Sequence, residues 1–149
     1  MQTWYGHDAP ELTNEQQTIS AALIWLLKGD AGQRAIASWS LGWDAAQQAS
    51  GTDWIAPTLS HALNDPYDAV RFIARRSIRS LPGFDQLEVN AIGTSQERSK
   101  AIQRVQDTWR KVSQQKQDPS LLLNDTGLDQ QKLQQLLLQR DETPIDLLE

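Results

Sequence analysis

Arg71, Arg75 and Arg79 recur at i, i+4 and i+8, with Arg76 beside them. On a helix, residues four apart share a face, so this spacing draws a basic stripe along one edge. Guanidinium forks match the oxygens of carboxylates and phosphates, and such a stripe suits an acidic partner or a phosphate. The competing reading is structural. Arg71 is then engaged by an aspartate of a neighbouring helix pair, and the others stay solvated, because exposed charge pairs contribute little. Arg75, Arg76 and Arg79 form the candidate interaction surface. Trp4 and Tyr5, which precede any helical pattern, are added as candidates for contact with an upstream domain.

Other residue types offer less chemistry. Trp39 and Trp43 stand at i, i+4, and Trp54 follows shortly after, among six tryptophans in all. An aromatic cluster can anchor a ligand or an interface. The preferred reading places these rings between helices in the core, Trp39 above all. His7 and His61 are the only histidines, and neither has a His-x-x-x-His or Glu-x-x-His partner. Each reads as a surface or satisfied histidine, and no metal site is assigned. Of Asp44, Asp53, Asp65 and Asp68, Asp53 and Asp65 are expected as helix caps, which leaves no acid–base pair. No Gly-x-Ser-x-Gly element or phosphate loop occurs. A non-catalytic protein is expected, with no catalytic, metal-binding or cofactor-binding residues.

Composition narrows the field. At 149 residues the chain suits one domain with a real core. A net charge of −5 opposes general binding to nucleic-acid backbones. Without cysteine there is no disulfide, thiolate zinc site, cysteine nucleophile or covalent c-type haem. The longest apolar run, Ile19 to Leu27, is far short of a membrane span, so no membrane insertion is expected. The N-terminal residues show no secretory pattern and read as a chain entered in mid-stream, so a longer parent protein is expected.

Helical periodicity supplies the elements. Thr13 and Gln16 have capping-box spacing, and Ile19, Leu23, Leu26 and Leu27 continue one helix to Gly29. Asp30 caps a second helix with Ala35, Ile36, Trp39 and Trp43 inward. Residues 45–50 are expected to extend as a turn of helix. Thr52 or Asp53 opens a third helix, with Trp54, Ile55, Leu59 and Leu63 buried and Pro57 in its first turn. Asp65-Pro66 opens a fourth, facing inward with Val70, Ile73, Ala74, Ser77 and Ile78. After a loop over 84–93, Thr94 and Glu97 cap a long helix to about Lys116, striped by Ala101, Ile102, Val105, Trp109 and Val112. A turn over 124–127 and a glutamine-rich helix over about 129–140 follow. A two-strand ribbon between residues 121–123 and the tail after Thr143 is a further expectation.

The second and fourth helices repeat one another. An offset of 37 residues separates Arg34 from Arg71, Ala37 from Ala74 and Leu41 from Ile78. A fixed period of roughly this length marks stacked repeats. Aspartate, arginine, alanine three on and an aliphatic four beyond resembles the second helix of a HEAT repeat. The longer elements Gly29-Asp30-Ala31-Gly32-Gln33-Arg34-Ala35, Trp39…Gly42-Trp43, Ala49-Ser50-Gly51-Thr52-Asp53-Trp54, Asp65-Pro66-Tyr67…Val70-Arg71 and Arg79-Ser80-Leu81-Pro82-Gly83-Phe84 occur in order. Together with Leu128-Asp129…Arg140-Asp141-Glu142-Thr143-Pro144, they resemble the HEAT-like region at the C-terminal end of large bacterial multihaem c-type cytochromes.

The resemblance implies an all-α, HEAT-like α-solenoid. About two helix-pair repeats would span residues 13–82, flanked by helices over 94–140, within one domain covering 1–149. It implies a docking scaffold, an accessory domain of an exported, periplasmic electron-transfer protein. The partner would be the upstream domain of the parent or another protein. Any haem would be attached upstream, since no Cys-x-x-Cys-His motif is present. In that setting the arginines would also suit haem propionates, and His7 an axial ligand position. Alternatives are a nucleic-acid-binding HEAT module of the DNA-glycosylase kind and a free-standing adaptor.

Overall fold

The computed structural model describes residues 9–114 and 116–145. Among these the fold is all-α apart from one minimal hairpin. The helices are α1 (Asn14–Thr18), α2 (Ala21–Lys28), α3 (Ala31–Ser40), α4 (Asp44–Ser50), α5 (Ile55–Leu59), α6 (Asp68–Arg79), α7 (Ser95–Val112) and α8 (Gln130–Leu138). A 3-10 turn, Ser60–Asn64, continues α5, and another, Pro119–Leu121, precedes strands β1 (Leu123–Asn124) and β2 (Gly127–Leu128).

Local chemistry sets most boundaries. Thr13 and Gln16, Asp30 and Gln33, and Thr94 and Glu97 each form a reciprocal capping box at the start of α1, α3 and α7. The first helix is nevertheless broken, against expectation. Ile19 turns extended and the Ser20 N–H donates to the Ser120 carbonyl instead of continuing the helix. The long helix stops at Val112, short of Lys116. The expected ribbon with the tail is replaced by a local hairpin, in which β1 pairs antiparallel with β2. Asn124 Oδ1 accepts from the Thr126 N–H and hydroxyl, and Gly127 takes a φ of 112° that favours glycine. Residues 143–145 form no strand.

Packing arranges two helix pairs side by side. α2 packs on α3, and α6 packs on α5 and its 3-10 extension. α3 lies along α6, while α2 meets the 3-10 turn. α7 does not follow α6 as α6 follows α3, but turns back onto α5 and the 3-10 turn, and α8 closes over α2. One hydrophobic cluster runs through all of these, from Ile19 and Leu23 to Leu133 and Leu136. Each fully buried leucine or isoleucine in it contributes about 1.5–3 kcal/mol.

Arginines tie the pairs together. Arg34 is buried, its Nε donating to Asp65 Oδ2 at 2.6 Å and Nη2 to Oδ1 at 3.2 Å. Its Nη1 also donates to the Gly29 and Asp141 carbonyls, each at 2.7 Å. Asp65 therefore does not cap α6. That helix starts at Asp68 with Tyr67 as N-cap, and the Tyr67 N–H donates to Asp65 Oδ1. Among the described residues Arg71 makes no ion pair with an aspartate side chain; it donates instead to the Asp65, Pro66 and Ala91 carbonyls. The bridge between helix pairs belongs to Arg34.

A third copy of the pattern sits in α7. Arg98, Ala101 and Val105 follow Arg71, Ala74 and Ile78 at a constant offset of 27 residues. All three alanine–aliphatic pairs are buried. Arg34, Arg71 and Arg98 each stand four residues after an N-cap and return Nη1 to the carbonyl five residues back. Nε then reaches another segment: Asp65, the Ala91 carbonyl and Asn64 Oδ1 respectively. Each arginine thus clamps the chain entering its own helix to a neighbour, through charge-assisted hydrogen bonds.

Candidate arginine-lined interface

Residues matched by the 37-residue offset occupy different surroundings on α3 and α6. Ser38 is fully buried, and Gly42 lies so close to α6 that a Cβ there would sit 2.5 Å from Ser77 Oγ. Their counterparts are Arg75 and Arg79. No helix covers them. They line a cleft of about 1040 Å³ between α6 and α7, floored by the loop from Gly83 to Asn90. Phe84 and Val89 of that loop are buried and hold it in place.

Arg104 of α7 lines the same cleft, donating through Nη2 to the Glu88 carbonyl at 3.0 Å. Arg79 Nε donates to the Asp85 carbonyl at 3.2 Å. Arg75 Nε is buried and has no acceptor among the described residues. Three guanidiniums thus converge on a cleft whose only acidic lining residue, among the described residues, is Glu88. A second hollow, about 700 Å³, adjoins it and shares Arg75 and Arg79. There Arg76 and the exposed ring of Phe72 join them, with Asp85 as the acid. On a chain of net charge −5 this is a local concentration of positive charge.

The expected stripe is thus rearranged. Arg75, Arg76 and Arg79 do lie together at the surface, Arg71 is withdrawn into carbonyl contacts, and Arg104 enters from another helix. Arg104 was beyond sequence reasoning, because nothing in its spacing links α7 to α6. Trp4, Tyr5 and His7 fall outside the described residues.

The tryptophans divide. Trp54 is buried, as expected, and so is Trp109, whose Nε1 donates to the Asp53 carbonyl. Trp39 and Trp43 are not core residues. They are 49% and 46% exposed and meet edge-to-face, ring centroids 4.5 Å apart, near exposed Ile36. The buried face of α3 is instead Ala31, Arg34, Ala37 and Ser38, small residues that let α6 approach, plus the clamping arginine.

His61, on the 3-10 turn, is neither a surface nor a satisfied histidine. Among the described residues its Nε2 is buried without a partner, and burial pushes its pKa down to about 4, so the ring is neutral at pH 7. Asp53, expected as a cap, accepts instead from the Gln114 N–H and the Ser113 hydroxyl at the far end of α7. Among the described residues, no group of three histidine or acidic side chains is placed to hold a metal ion, and no helix is long and apolar enough to cross a membrane. No family model, curated protein or solved structure matches the chain.

Proposed function

We propose that this chain is a HEAT-like docking module, with its helix pairs as scaffold and the arginine-lined cleft as contact surface. The convergence of Arg75, Arg79 and Arg104 from two helices onto one open cleft carries the reading. The paired packing of α2–α3 beside α5–α6, with the Arg-Ala-aliphatic frame in α3, α6 and α7, supports a HEAT-like stack. Its context is an accessory domain of a larger, exported, multihaem cytochrome-like protein, and it performs no catalysis itself. Haem does not fit this chain covalently, since there is no cysteine to hold it. Any haem would belong to the remainder of the parent.

The test is the mass of the native polypeptide, by immunoblot against this domain with haem staining of the same gel. A large, haem-positive band is expected. A haem-free band near 16.8 kDa would overturn the cytochrome context and leave a free-standing adaptor.

A further inference from the structure

Resting on the docking reading, we infer that the two adjoining hollows at Arg75 and Arg79 seat an extended, acidic peptide segment of a partner protein. Its carboxylates would pair with Arg75, Arg79 and Arg104, and an apolar side chain would lie against Phe72.

Three observations select this occupant. The first is the unused donor. Among the described residues Arg75 Nε is buried without an acceptor, whereas Arg79 and Arg104 each donate to one loop carbonyl. A buried guanidinium N–H without a partner is costly, and a carboxylate oxygen satisfies it best. The second is the contrast with α3. Where Ser38 and Gly42 admit a neighbouring helix, α6 presents Arg75 and Arg79. An apolar helix packed on this edge would have to desolvate both charges without compensation, so a further helical pair is refused. A carboxylate-bearing strand compensates them and leaves the rim wet. The third is charge balance. Asp85 and Glu88 lie at the hollows, and the chain as a whole is acidic. A duplex needs many phosphate contacts on a broad basic face, whereas a peptide needs a few carboxylates and one apolar anchor. Phe72, 46% exposed, provides the apolar contact.

The experiment titrates the full chain, at low salt, against a short fluorescein-labelled peptide of glutamate and phenylalanine, read by anisotropy. Competitors are the glutamine counterpart, inorganic phosphate and duplex DNA. Saturable binding is expected, displaced by none of the three. Arg75→Gln and Arg104→Gln should each weaken it by about tenfold, the scale of one lost charge-assisted hydrogen bond. Arg110→Gln should leave it unchanged, since Arg110 is exposed and pairs with Asp107 away from the cleft. Circular dichroism of each variant checks that it is folded.

Absence of saturable binding overturns the assignment, as does equal loss in Arg110→Gln. Displacement by duplex DNA overturns it in favour of a nucleic-acid module, and displacement by phosphate reduces it to an anion site. Failure here beside a large haem-positive parent would remove the peptide and keep the domain's context. Peptide binding beside a small haem-free band would do the reverse.

Discussion

Helices α3 and α6 share the frame of arginine, alanine and aliphatic residue, yet their forward edges have opposite fates. On α3, Ser38 and Gly42 are sealed, with Gly42 almost touching Ser77. On α6, the same positions carry Arg75 and Arg79 and face an open cleft. The difference shows how helices of matching pattern can differ in what they accept at one edge. Ala37 and Ala74, and likewise Leu41 and Ile78, are buried at matched positions of the two helices. At the forward edge, the small residues Ser38 and Gly42 of one stand where the other has Arg75 and Arg79. α7 turns back over α5 and the 3-10 turn.

The comparison breaks most completely at Asp65. Asp65→Ala leaves Arg34 charged, buried and short of its ion-pair partner, and should cost about 3–5 kcal/mol. Urea unfolding would show it as a lower midpoint, with an unchanged slope if the transition stays two-state. Replacing both Arg34 and Asp65 by methionine and leucine should cost less than Asp65→Ala alone, because no orphan charge remains.

A second test uses pH, at the turn on which both α6 and α7 rest. The folded protein holds His61 neutral, with its pKa near 4, while the unfolded chain protonates it near 6.5. Between these values the unfolded state binds more protons, so stability rises with pH and is lost as pH falls from 6.5 towards 4. The loss from this group reaches roughly 3 kcal/mol. His61→Gln should flatten the stability–pH curve in that window, as measured by thermal or urea unfolding.

Third, Gly42→Ala should destabilise by about 1–3 kcal/mol, because the added methyl meets both the side chain and the backbone of Ser77. At the matched site, Arg79→Ala should change stability by no more than about 0.5 kcal/mol, because Arg79 is exposed. Comparable effects at both sites would erase the distinction between a sealed and an open edge. Trp39→Ala should cost about 1 kcal/mol, through loss of the exposed ring pair, as read by urea unfolding.

Much of this plan was legible as sequence. Capping boxes at Thr13 and Thr94 were readable because their partners lie three residues away. The buried faces of α5 and α6 were readable because their apolar residues keep helical spacing. On α3, apolarity does not mark burial. Its core face is made of small residues and one arginine, while Ile36, Trp39 and Trp43 stay outside. Hydropathy does not register the benefit of close backbone approach. The copy in α7 was missed because its offset is 27, not 37, although the residue types match. Arg104 and the burial of His61 depend on how distant segments meet, and no local pattern encodes that.

Arg34 has a consequence in time as well as in space. Its guanidinium gathers acceptors from residues 29, 65 and 141, the last 107 positions downstream. During synthesis from the N-terminus, the first acceptor is in place almost at once. The ion-pair partner emerges later, and the segment after α8 much later still. A nascent chain therefore carries a helix-pair clamp that closes in instalments, the final one spanning most of the distance described here. Contacts of such long separation are slow to form. The clamp is therefore complete only once the chain beyond α8 has arrived.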